Sequence, residues 1–130
     1  MGREVIRTER APAAIGPYSQ GIRANGFIFF SGQIPLNPFS GEVELGDITA
    51  QAELVMNNIE ALLTAAGIGF GNVVKTTIYL TSLADITAVN EIYGRRFTGE
   101  PPARSTVEVK ALPKGVAIEI EVIAVDHVGL

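Results

Sequence analysis

Apolar positions change their period along the chain, from two to three or four and back again, and these changes mark out the elements. Val5 and Ile6, flanked by charge, predict a short first strand, and Gly16, Pro17 and Gly21 break the next stretch into turns. Phe27 to Ser31 is aromatic and β-favouring and is entered through Asn25 and Gly26, so Arg23 to Ser31 reads as a hairpin. Gln33 to Gly46, with its prolines, glycines and small polar residues, reads mostly as loop. The clearest helix comes next, because Ile48, Ala52, Val55, Ile59, Leu62, Leu63 and Ala66 recur at steps of three and four. Asp47 stands as its N-cap and Gly67 as its stop.

Val73 to Thr81 is β-branched and alternating, which predicts a strand. Ser82 and Asp85 then form a capping-box pattern opening a second helix, whose apolar face is Ile86, Val89, Tyr93 and Phe97. After the break at Gly99 to Pro102 come a strand at Ser105 to Val109, a turn at Leu112 to Gly115 and a long strand from Val116 to Val125. The last two strands are expected to pair as an antiparallel hairpin. Strands, helix, strand, helix and two strands predict an α+β fold, a mixed sheet with two helices on one face. In the last strand Ile118, Ile120, Val122 and Ala124 form one apolar face, while Glu119, Glu121, Ile123 and Val125 form the other. That second face is too apolar to be left wholly in water, so a neighbouring copy of the chain is expected over part of it, with Glu119 near the interface.

Composition narrows the function classes. The 130 residues are 47% hydrophobic and only 18% charged, against a usual charged fraction of about 25%, and fit one domain spanning 1–130 with no linker or repeat. There is no cysteine, which excludes disulfides, a thiolate nucleophile and iron–sulfur ligation. A net charge of -4 makes the chain a poor nucleic-acid binder. Mean hydropathy is +0.29, yet no apolar run approaches the roughly 20 residues that span a bilayer, so no membrane partner is expected. The start at Met1, Gly2, Arg3 and Glu4 has no signal-peptide core, and Ile6 sits where a myristoylation signal needs Ser or Thr, so the cytoplasm is the expected location.

Most site chemistries fail on residue inventory. His127 is the lone histidine and lies near the end of the chain, which leaves neither a histidine metal cluster nor a Ser-His triad within one chain. Gly67, Gly69 and Gly71 lie between a helix end and a strand, the reverse of a phosphate loop, and read as a connection. Arg95 and Arg96 read as a solvated face. More informative is Arg104, which follows Pro101 and Pro102 into a strand and shares a face with Thr106, opposite Ser105, Val107 and Val109. Were that face the one meeting another copy, the guanidinium would need an anion. Two readings stand: a structural salt bridge with Glu108, Glu119 or Glu121, or a fork for a carboxylate ligand. Glu119 interrupts an apolar strand, and Tyr18 stands in a glycine-flanked loop as either a binding residue or an aromatic plug.

Four separated stretches add a resemblance. Ala14 to Gly21, Phe30 to Pro35, Val89 to Glu91, and Pro102 to Ser105 leading through Leu112 to Gly115 into Ile118 to Ile120 resemble, in order, the RidA family, also called YjgF/YER057c/UK114. The resemblance spans nearly the whole chain. It implies a chorismate-mutase-like α+β protomer in a homotrimer, with sheets inside, helices outside and ligand clefts between subunits. It also implies hydrolysis of reactive enamines and imines, such as 2-aminoacrylate, to 2-keto acids and ammonia, which spares pyridoxal-phosphate enzymes from damage. No metal or organic cofactor is implied, and the activity is of the 2-iminobutanoate/2-iminopropanoate deaminase type.

By the same resemblance, Arg104 corresponds to the arginine that binds the substrate carboxylate and Glu119 to the glutamate that orients or activates water. Tyr18, Ser31, Gly32 and Asn90 correspond to positions lining the cleft, Gly32 through its backbone. Thr106 departs from the pattern, since many relatives have cysteine there, and this bears on substrate range. The chemistry needs only protonation of a carbon and attack by water, so no thiolate is required. A different class of function, a trimeric module that binds small keto acids without turnover, needs Arg104 but not Glu119. Ribonuclease action or inhibition of translation, also described in the family, runs against the net charge of -4.

Overall fold

The structure, a computed structural model, describes residues 2–127; Met1, part of the start read for a signal peptide, lies outside them. Among the described residues six strands form one sheet: β1 (Glu4–Ile6), β2 (Gly21–Ala24), β3 (Phe27–Gln33), β4 (Val73–Leu80), β5 (Ala103–Glu108) and β6 (Ile118–Val125). Their spatial order is β1-β2-β3-β6-β4-β5, and every pairing is antiparallel except β4 with β5. Helices α1 (Ile48–Ala65) and α2 (Ile86–Gly94) pack on one face. The α+β layout expected from the element order is the one that forms.

Local chemistry explains the boundaries. Asn25 and Gly26 take φ of 53° and 82°, the paired left-handed geometry of a two-residue hairpin turn, so β2 and β3 meet with Ala24 opposite Phe27. Asp47 caps α1 by accepting a hydrogen bond from the Ala50 N–H at 2.9 Å. At the other end Gly67, at φ 79°, lets the chain turn back while Ile68 N–H reaches the Leu63 carbonyl. Ser82 also caps, but it opens only the single 3-10 turn Leu83–Asp85, and α2 begins at Ile86.

The expected hairpin between β5 and β6 does not form. Both strands flank β4 instead: β5 runs parallel along its outer edge, with Thr76 opposite Arg104, and β6 fills the gap between β4 and β3. The reason lies in their side chains. Ile118, Ile120, Val122 and Ala124 are at most 3% exposed, a strand that needs a central position, whereas Arg104, Ser105, Thr106 and Glu108 suit an edge. Lys114 and Gly115, at φ 61° and 74°, turn the connection back toward β6.

The core joins the inner faces of β3, β4 and β6 to Val55, Met56, Ile59, Leu62 and Leu63 of α1 and Val89, Ile92 and Tyr93 of α2. Each such aliphatic side chain contributes roughly 1.5–3 kcal/mol by leaving water. Among the described residues the opposite face of the sheet carries no helix, and Phe27, Phe29, Val74 and Val107 remain 40–47% exposed there. Among the described residues no helix is long and apolar enough to cross a membrane.

Candidate active site

Tyr18, Ser31, Gly32 and Glu119 line one open cavity of about 450 Å³, together with Ile34, Pro113 and Lys114. Buried amides hold its walls. Gln20 accepts from the Thr8 N–H and donates to the carbonyls of Thr8, Ala11 and Pro12, which ties down the loop leading to Tyr18. Asn58, on α1, donates to the carbonyls of Ile34 and Leu36, and Gln51 accepts from Ala117 N–H. Gln51 and Asn58 interrupt the apolar stripe of α1 because each, itself buried, satisfies a loop backbone group. Helical periodicity alone cannot reveal them.

Within the cavity, Ser31 donates its hydroxyl to the Ser19 carbonyl at 2.6 Å, and the Tyr18 hydroxyl accepts from Ile15 N–H at 3.3 Å, leaving the phenol proton available. Gly32 sits against Glu119: a Cβ at that position would meet the Glu119 Cδ at 2.9 Å. Only glycine lets the carboxylate lie across the strand. Burial raises the Glu119 carboxyl above its ordinary pKa, and the negative charge of Glu121, two residues along the same face, adds to the rise. Glu121 in turn accepts a hydrogen bond from the Tyr79 hydroxyl, whose pKa is pushed up to about 12, chiefly by that bond.

Arg104, Thr106 and Asn90 lie elsewhere. The register sets Arg104 beside Thr76 and Thr106 beside Ile78, both on the helix-covered side, while Glu119 stands beside Tyr79 on the bare side. Arg104 and Glu119 therefore project from opposite faces of the sheet. Among the described residues the Arg104 guanidinium forms no ion pair, so the expected salt bridge with Glu108, Glu119 or Glu121 does not form within the chain, and Glu108 instead accepts from Leu83 N–H. The guanidinium lies over the Tyr93 ring, 5.1 Å from its centroid. Asn90 is exposed on α2, one turn before Tyr93. Among the described residues the buried Thr106 hydroxyl oxygen has no hydrogen-bond partner.

Arg96 differs from the solvated residue expected. It donates to the Met56 carbonyl and to Asn57, pairs with Glu60 and stacks on Phe70, fastening α2 to α1. Among the described residues no group of three or more His, Cys, Asp or Glu could hold a metal ion.

Known proteins similar to this chain bear on this pair of surfaces. Protein DfrA of Myxococcus xanthus is 54% identical over 127 residues, covering 96% of this chain and 97% of its own. The mouse 2-iminobutanoate/2-iminopropanoate deaminase is 48% identical over 123 residues, covering 95% and 91%. Escherichia coli TdcF, solved with bound serine, superposes with a TM-score of 0.91 at 43% identity over 95% of this chain and 99% of that one. The family model described as Endoribonuclease L-PSP matches residues 8–126. With that match across nearly its whole length and relatives close to half identical throughout, the chain belongs to the Ribonuc_L-PSP family, the YjgF/RidA family, whose members include imine deaminases.

Proposed function

We propose that the protein hydrolyses small enamines and imines bearing a carboxylate, 2-aminoacrylate among them, to 2-keto acids and ammonia. The observation that carries this reading is the pair of incomplete half-sites: an arginine that forms no ion pair among the described residues on one face of the sheet, and a half-buried carboxyl of raised pKa on the other. A single chain does not bring the two together. A ring of three copies would join the Glu119 half-site of one to the Arg104 half-site of the next, a head-to-tail contact that closes on itself. The bare apolar face, with Phe27, Phe29, Val74 and Val107 partly exposed, supports such an assembly. The names of the mouse and E. coli relatives agree in ligand class, since iminobutanoate, iminopropanoate and serine are three- or four-carbon molecules with one carboxylate.

The chemistry follows from the residues. Arg104 grips the carboxylate with two parallel N–H donors, which holds the reacting carbon at a fixed distance. For 2-aminoacrylate, a proton from solvent reaches the methylene carbon, which becomes a methyl group as the carbon–carbon double bond becomes single and the carbon–nitrogen bond double, giving an iminium. Water then adds to the carbon bearing nitrogen, giving a carbinolamine. Proton transfer to nitrogen and loss of ammonia leave pyruvate. Glu119, whose carboxyl pKa is raised by burial, is suited to take a proton from the attacking water and return it to the departing nitrogen. The Tyr18 phenol can donate to the same intermediate, and Ser31 and Gly32 shape the wall. Every atom comes from substrate and water, so no cofactor enters the balance. We assign this work to the cytoplasm, where such intermediates would be released by pyridoxal-phosphate enzymes.

The test is release of ammonia and pyruvate from 2-aminoacrylate generated enzymatically, with oligomeric mass followed by light scattering. Release above the spontaneous rate by particles of three times the 13.8 kDa chain mass is expected. Keto-acid binding without turnover, or a particle of the single-chain mass, contradicts the proposal. Gly32→Ala makes a related prediction. Its new Cβ would displace the Glu119 carboxyl, and a shift of about 1 Å costs on the order of 100-fold in turnover. Circular dichroism should stay that of the wild type; undiminished kcat would show that Glu119 need not lie against Gly32.

A further inference from the structure

Tyr93 fills the core as an aromatic residue of α2, yet its contacts are more specific than packing requires. Only 6% of the residue is exposed. Its hydroxyl lies 2.7 Å from the hydroxyl of Thr76 in a pair closed to water, and its ring meets Phe97 at 4.8 Å between centroids. Over the ring stands the guanidinium of Arg104, with its carbon 5.1 Å from the centroid. Thr76 and Arg104 are themselves register partners across β4 and β5, so one residue of the sheet holds the ring and its neighbour lies upon it.

An exposed arginine on an edge strand has many rotamers to sample. A carboxylate partner within the chain would restrict them, but it would occupy the same N–H fork that a carboxylate ligand needs. An aromatic ring restricts them differently. It attracts the cation without accepting from its N–H donors as a carboxylate would. Burial raises the pKa of the Tyr93 phenol, against the opposing effects of the Thr76 hydrogen bond and the Arg104 charge. The ring therefore stays neutral at ordinary pH and offers no anion to compete for the fork.

We infer that Tyr93 is a positioning residue for carboxylate recognition: its ring, fixed by Thr76, holds the Arg104 guanidinium over its face while leaving the N–H donors free to bind the substrate. This rests on the reading of Arg104 as the carboxylate-binding residue. It extends that reading to two residues, one in the core of α2 and one in β4, that do not themselves touch the substrate.

Tyr93→Phe and Tyr93→Leu in the full chain separate ring from hydroxyl. Three readouts apply: kinetics on imines generated from amino acids by an amino-acid oxidase, pyruvate affinity, and the NMR shifts of the Arg104 δ-protons. Tyr93→Leu should raise KM and the pyruvate Kd about tenfold or more, with kcat changed less than about threefold, and Tyr93→Phe should restore both constants to within about threefold of wild type. The Arg104 δ-protons should be shifted upfield by the ring in wild type and in Tyr93→Phe, and lose that shift in Tyr93→Leu. A folded Tyr93→Leu protein with wild-type KM and pyruvate affinity overturns the inference. So does a wild-type protein whose Arg104 protons show no ring-current shift, a measurement that stands even if the leucine variant does not fold. Absence of any deaminase turnover in wild type would count against the proposed reaction, while pyruvate binding and the NMR shifts would still decide the role of Tyr93.

Discussion

Arg104→Lys is expected to lower kcat/KM about 30- to 1,000-fold, equivalent to about 2–4 kcal/mol of transition-state binding, while the protein folds and assembles as before. Lysine keeps the charge but not the planar fork, and it stacks less well on an aromatic face. The structure sharpens this expectation. Arg104 forms no ion pair among the described residues, so no glutamate within the chain is orphaned by the exchange. The melting temperature should therefore fall by little. Kinetics measured beside thermal melting decide the point: near-wild-type kcat/KM in a folded Arg104→Lys assembly would refute the carboxylate-fork assignment.

Glu119→Gln should cost on the order of 100- to 10,000-fold in kcat, the usual range for removing a positioned acid–base group. Its effect on stability should have the opposite sign. Burial and the Glu121 charge raise the folded-state pKa of Glu119, so the folded chain binds its proton more tightly than the unfolded chain. Ionisation then costs stability as pH rises through the folded pKa, and the cost persists at neutral pH. Glutamine removes it. At pH 7 the variant should melt at or above the wild-type temperature, and the difference should vanish below about pH 4, where the unfolded carboxyl is also protonated. An inactive variant that also melts much lower at pH 7 would mark Glu119 as structural.

Much of the fold was legible in the chain. The period of α1, the Asp47 cap, the Gly67 stop and the Asn25-Gly26 turn act locally, and each appears where its chemistry requires. The pairing of β5 was not legible, because strand partners depend on which strand most needs the centre of the sheet, and the apolar β6 displaced β5 from the hairpin its proximity suggested. That one pairing also decides the site. Alternation couples Arg104 to Thr106, but only the register with Thr76 tells which face they share, and with it that Arg104 meets Tyr93 rather than Glu119. Gln20, Gln51 and Asn58 were missed for a related reason: their partners are backbone groups of loops far away in sequence.

The proposed site is divided between copies, and complementation measures that division directly. Arg104→Ala and Glu119→Gln proteins, each nearly inactive, would be co-expressed with different tags and the mixed oligomers purified. If each cleft takes Arg104 from one copy and Glu119 from the next, random mixing in a ring makes about a quarter of the clefts wholly wild type, and activity toward 2-aminoacrylate should recover to about that fraction. Mixed oligomers, verified by mass spectrometry, that remain as inactive as their parents would contradict it.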